Sequence, residues 1–144
     1  MLRYLIPIDG EPESLAAVRH VLTLVGAGLK LRCVLANVQA SANLYELVVA
    51  RDPAVLQRVA EEAGRDLLKP ALQLLSAAGV GAELEVVHQG DIGPALLDLA
   101  ERHGVDAVVM GAGAPGLGER VLGSVTLDMV QNARVPVTVV RVID

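Results

Sequence analysis

Five short apolar runs, set apart by segments of helical period, constrain this chain more than any other feature. The runs are Tyr4–Ile8, Leu29–Val38, Ala82–His88, Val105–Met110 and Val135–Val142. Between the first two, Leu15, Val18, Val21, Leu22 and Val25 recur on one helical face after Pro12, and Gly26 and Gly28 close the segment. Asp52-Pro53 reads as an N-cap followed by proline at the first helical position. The face Val55, Leu56, Val59, Ala63, Leu67, Leu68 then continues to Leu75, and Pro70 within it predicts a kink. Gly90–Pro94 opens a third helix that runs through His103 to a stop at Gly104, and Ser124–Asn132 forms a fourth. Gln39–Arg51 lacks a regular pattern and reads as a loop or a short helical turn. Strands alternating with helices, and apolar nearly throughout, predict a doubly wound, mostly parallel α/β sheet with helices on both faces. The 144 residues suit one domain over residues 1–144, with no repeat of 20–50 residues.

The fourth run leads into Gly111–Ser124 (GAGAPGLGERVLGS), which carries five of the fourteen glycines. A buried strand thus passes through a glycine-rich loop to a helix N-terminus. Glycines let backbone amides approach a ligand, and the first amides of a helix are unpaired at its positive end, so the arrangement suits phosphate. Gly111-x-Gly113-x-x-Gly116 spells a dinucleotide fingerprint, but Pro115, Gly116 and Gly118 delay the helix and the loop follows the fourth strand, not the first. A Walker loop needs lysine before Ser124, and Gly123 stands there with no lysine in the loop. Ser124 reads as a helix N-cap or as a phosphate ligand through hydroxyl and amide. Asp9, at the carboxyl end of the first run, is either a turn residue before Gly10 or part of a ligand site, because open α/β sheets bind ligands at that end. Pro7 counts against a central strand, since it donates no ladder hydrogen bond.

Composition excludes several function classes. The chain is 53% hydrophobic with no Trp, no Phe and two Tyr, so its core is aliphatic and it lacks stacking platforms for single-stranded nucleic acid. A net charge of −5 argues against nucleic acid as a partner. The one cysteine, Cys33, forms no internal disulfide and reads as a small core residue in a reducing compartment. No apolar stretch reaches the ~20 residues that span a membrane and no signal-like segment opens the chain, so a cytoplasmic location is expected. His20, His88 and His103 lack metal-ligand spacing, and no catalytic constellation is visible. His103, in a last helical turn, reads as compensating the helix dipole. Glu83 and Glu85 read as a solvated face.

Taken together, the residues resemble the universal stress protein family over essentially the whole chain. Leu5-Ile6-Pro7-Ile8-Asp9-Gly10 is similar to the family's first strand, and Gly90-Asp91-Ile92 resembles its Gly-Asp-Pro helix opening. The glycine loop resembles the family's ATP motif, G-x2-G-x9-G-[ST]: nine residues separate Gly113 from Gly123-Ser124. Only Ala112 stands between Gly111 and Gly113, where the motif has two residues, and Ala114 occupies a position where members often carry a basic side chain. The resemblance implies a five-stranded parallel sheet in order 3-2-1-4-5. It implies that Asp9, with Pro7 beside it, contacts the adenosine and that Val38 meets adenine through its backbone. Met110 and Gly111 would flank the ribose and phosphates; Gly113, Gly123, Ser124 and Val125 would hold the phosphates.

The expected function is that of an adenine-nucleotide-binding stress-response or signalling protein. It would bind ATP or AMP, with Mg²⁺ offsetting part of the charge of ATP, and more weakly than members with the full motif. No enzyme activity beyond slow ATP hydrolysis is expected. The alternatives are a dimeric interaction module of the same family that binds no nucleotide, and a small dinucleotide-binding subunit. The order implied places Val135–Val142 at a sheet edge, where an apolar strand without lysine invites pairing with its own copy, so a homodimer is expected.

Overall fold

The computed structural model describes residues 1–39, 52–88, 90–113 and 122–142. The elements in chain order are β1 (Leu2–Pro7), α1 (Pro12–Gly26), β2 (Leu31–Gln39), α2 (Pro53–Ala77), β3 (Ala82–His88), α3 (Ile92–His103), β4 (Ala107–Gly111), α4 (Ser124–Asn132) and β5 (Val137–Val140). All strand pairs are parallel and the order is β3-β2-β1-β4-β5, as the resemblance implied. Residues 40–51, read from sequence as a loop or helical turn, lie outside the described residues.

The inner strands are largely apolar on both sides because both sides are covered. Ile6, Cys33, Leu35 and Val109 point to one face, where Val18 and Val21 of α1 and Leu68 and Leu75 of α2 pack. Leu5, Val34, Val108 and Met110 point to the other, against Leu96 and Leu99 of α3 and Met129 of α4. Successive residues of a strand alternate between these cores. Each large side chain fully removed from water contributes about 1.5–3 kcal/mol before ordering costs. Cys33 is fully buried in the first core, and burial pushes its thiol pKa up from 9.0 to about 12, so it stays protonated.

Strand boundaries shift from the sequence reading for definable reasons. β2 begins at Leu31, not Leu29, because the Leu29 amide donates to the Leu24 carbonyl and belongs to the turn that ends α1. β4 begins at Ala107, because the Val105 amide closes the end of α3 on the Ala100 carbonyl. β5 is confined to Val137–Val140 within the expected Val135–Val142. The helix α2 continues through Pro70 as one element. The proline ring removes the hydrogen bond to the Asp66 carbonyl, but both residues are exposed, so water can take its place.

His103 does more than balance a dipole. Its Nε2 lies 2.9 Å from Glu85 Oε1 and its Nδ1 3.5 Å from Glu83 Oε2, while Arg32 reaches Glu83 at 3.3 Å. The two glutamates read as a solvated face therefore tie the end of α3 to the edge strand β3.

Candidate functional site

β1 is the central strand, and its two neighbours pair with it unequally. Its ladder with β2 runs over all six of its residues, from Leu2↔Leu31 to Pro7↔Ala36. Its ladder with β4 covers only Tyr4↔Ala107 and Leu5↔Val108. Backbone amides alternate sides along a strand. Those of Leu2 and Ile8 donate to β2-side carbonyls, of Lys30 and Ala36, so odd-numbered residues face β4. Pro7 is odd, and it has no N–H to offer. The proline that argued against a central strand thus sits where that strand parts from β4. The order reverses between β1 and β4, and the crevice at their carboxyl ends is where open α/β sheets accommodate ligands.

One wall of the crevice comes from the turn into α1. The Ser14 hydroxyl donates to Asp9 Oδ1 at 2.6 Å and accepts from the Asp9 amide at 3.1 Å. The Glu11 amide donates to the same Oδ1 at 2.8 Å. Asp9 is therefore a turn residue that fixes the start of α1, and it also faces the crevice. Behind it, the buried Asn37 donates to the Ile8 carbonyl at 2.8 Å and holds the end of β1. Glu13, in the first turn of α1, also lines the crevice, and its Oε2 is buried without a hydrogen-bond partner. An unpaired buried acceptor costs about 1–3 kcal/mol, more if charged.

The opposite wall is built from backbone. A Cβ on Gly111 would overlap Glu13 Cβ and approach the Glu13 carbonyl to 2.9 Å. Gly113 adopts φ +72°, a left-handed conformation that favours glycine. A Cβ on Gly123 would overlap the Gly113 carbonyl, so these two glycines touch and form a neck. The Gly123 amide donates to the Ala112 carbonyl at 2.8 Å, and the Ala112 amide donates to Val140 of β5 at 3.1 Å. The buried Thr126 hydroxyl braces the neck by donating to the Gly111 carbonyl at 2.9 Å. Gly123 is the N-cap of α4, and Ser124 is its first helical residue rather than the cap. The amides of Ser124, Val125 and Thr126 have no acceptor within the helix, and they stand at its positive end.

The crevice encloses a cavity of about 140 Å³. Of the residues expected at a site, Pro7, Asp9, Val38 and Met110 line it, as do Gly111, Gly113, Ser124 and Val125. Gly123 is behind the lining, at the neck. The cavity has an apolar part, with Val38, Ala36, Met110, Ile92 and Leu96, and a polar part, with Asp9, Glu13, Ser14, Ser124 and Thr126. Sequence reasoning missed Glu13, Ser14, Thr126 and Asn37. A signal existed for Ser14, which shares the buried stripe of Ala17, Val18 and Val21. Residues 114–121, including Ala114, Gly116 and Arg120 of the glycine loop, lie outside the described residues. Among the described residues no three His, Cys, Asp or Glu side chains gather in a metal-binding group, and no helix is long and apolar enough to cross a membrane.

Comparison with known proteins places the fold. A universal stress protein of Methanocaldococcus jannaschii is 27% identical over 151 residues, covering 96% of this chain and 81% of the relative. Among solved structures, the hypothetical protein MJ0577 superposes with a TM-score of 0.81 at 23% identity, covering 99% of this chain and 97% of its own. A universal stress protein family member from Arabidopsis thaliana, solved with AMP bound, superposes with a TM-score of 0.69 at 19% identity, covering 98% and 92%. Two further universal stress proteins of this fold were solved with cAMP and, from Archaeoglobus fulgidus, with dAMP. The model of the universal stress protein family matches residues 1–141, and the chain belongs to that family.

Proposed function

We propose that the crevice between β1 and β4 binds an adenine nucleotide, AMP or ATP, in a stress-response or signalling role. The observation that carries this reading is the division of one cavity into an apolar slot and a polar part bounded by a glycine neck and a helix N-terminus. The slot beside Val38 and Met110 suits a base. The free amides of Ser124 and Val125, with the Ser124 hydroxyl, suit phosphate. The complexes of other family members with AMP, cAMP and dAMP support the same ligand class. The protein carries −5, Ala114 replaces a frequent cation, and Arg120 is the cation the loop sequence offers. One lost charge-assisted hydrogen bond lowers affinity roughly tenfold to a hundredfold. AMP, with fewer charges, suffers less, and Mg²⁺ helps ATP. We assign no catalytic residue and expect at most slow hydrolysis.

Calorimetry with AMP, and with ATP in the presence and absence of Mg²⁺, tests the reading; the expected result is saturable heat, stronger for AMP. No heat with either at millimolar concentration overturns it. The one-residue contraction between Gly111 and Gly113 favours a second reading, an interaction module that uses the same fold without nucleotide. In either case we propose a homodimer paired through β5. That strand is an edge, and Leu127 and Val130 on the preceding helix are exposed. Sedimentation at micromolar concentration should give twice the 15.0 kDa of one chain, and a monomer throughout would refute the pairing.

A further inference from the structure

Glu13 Oε2 is buried without a hydrogen-bond partner among the described residues, and the position of Glu13 gives it a use in the site. Asp9 and Ser14 on the α1 wall already hold each other: Asp9 Oδ1 accepts from Ser14 and from the Glu11 amide, and the Ser14 hydroxyl is shared between Asp9 atoms. Glu13 Oε2 is sealed from solvent with no donor. Glu13 lines the cavity, and the terminal torsion of a glutamate is broad, so its carboxylate is free to turn towards a ligand there. Glu13 is in contact range of Gly111, and Gly111 lies along the chain between Met110 of the apolar slot and Gly113 of the neck. A ligand with its base in the slot and its phosphate at the neck therefore passes its sugar beside Glu13. A carboxylate there accepts hydrogen bonds and repels phosphate, which matches a sugar hydroxyl and not the anionic end.

We infer that Glu13 recognises the ribose, accepting a hydrogen bond from its 2′- or 3′-hydroxyl, and so selects ribonucleotides. This inference rests on the nucleotide reading of the cavity. A hydrogen bond to a charged group corresponds to about tenfold or more in affinity.

The test is calorimetry of the unaltered protein with AMP, 2′-deoxy-AMP and 3′-deoxy-AMP, repeated on Glu13→Ala and Glu13→Gln. At least one deoxy analogue should bind the unaltered protein about tenfold more weakly than AMP. In Glu13→Ala that penalty should shrink to within about twofold, while Glu13→Gln, which keeps an acceptor oxygen, should retain part of it. If AMP binds and both deoxy analogues match it within twofold, ribose selection is overturned and the nucleotide reading stands. A penalty that persists undiminished in a folded Glu13→Ala also overturns it, assigning selection elsewhere. If none of the three produces heat, both readings fall together.

Discussion

The two walls of the crevice are made by opposite means. On the α1 side, Asp9, Ser14 and Asn37 form a network of side-chain hydrogen bonds around the end of β1. On the β4–α4 side, Gly111, Gly113 and Gly123 let backbone touch backbone because side chains are absent. A hydrogen-bonded wall degrades by steps, since each bond contributes about 1 kcal/mol net. A wall made by close backbone approach fails abruptly, because an added carbon has nowhere to go.

Substitutions should expose that contrast, beginning with the largest effect. Gly123→Val places carbon atoms against the Gly113 carbonyl and forces the neck apart. It should abolish calorimetric binding of AMP and lower unfolding stability by about 1–3 kcal/mol or more; retained binding would show that the neck is dispensable. Thr126→Val keeps shape but leaves the Gly111 carbonyl without its hydroxyl donor. Urea unfolding should record a loss of about 1–3 kcal/mol, and a neutral result would mean that another donor braces the neck. Ser14→Ala removes both bonds between Ser14 and Asp9 yet leaves Asp9 Oδ1 on the Glu11 amide. About 1 kcal/mol should be lost, and a collapse comparable to Gly123→Val would erase the distinction between the walls.

The smallest effect lies outside both walls. Cys33 is buried under α1 and α2, with its pKa raised from 9.0 to about 12. Above pH 9 the unfolded chain releases the thiol proton and the folded chain keeps it, so the unfolded state binds fewer protons and stability falls as pH rises. Below pH 8 the thiol contributes no slope. At pH 10 the loss should be about 1 kcal/mol. Comparing urea midpoints at pH 8 and pH 10 for the unaltered protein and Cys33→Ala isolates it, and equal slopes in the two proteins would contradict the burial argument.

The fold was legible because its information is local. Apolar runs of strand length, helix-period stripes and stop glycines such as Gly104, which adopts φ +58°, each report on neighbours in sequence. The candidate site was legible at the glycine loop and Asp9, which their places in the strand–loop–helix pattern marked, and at Val38, to which only the resemblance pointed. Glu13 and Thr126 sit on helices whose solvent faces also carry polar residues, so nothing local marks them as cavity residues, and the buried stripe that Ser14 shares marks burial but not a cavity. Their meaning comes from Gly111, almost a hundred positions beyond Glu13, arriving against α1. Pro7 was misjudged for a related reason. Proline is excluded where a ladder needs its N–H, and whether the ladder reaches that far depends on β4, which the first strand's own sequence does not describe.

The neck also bears on how this chain tolerates change. Ala112 is tied to β5 on one side and to Gly123 on the other, and Gly113 and Gly123 are in contact. Gly113 and Gly123, which flank residues 114–121 in the sequence, are therefore pinned at adjacent points. Once two ends are pinned together, closing a longer or shorter loop between them changes free energy only slowly, by about 0.6 kcal/mol for each doubling of length. A change in the number of residues between those two points is therefore expected to cost folding little. The expected consequence for a lineage carrying this neck is that the sequence between its two ends changes independently of the sheet and helices that hold those ends together.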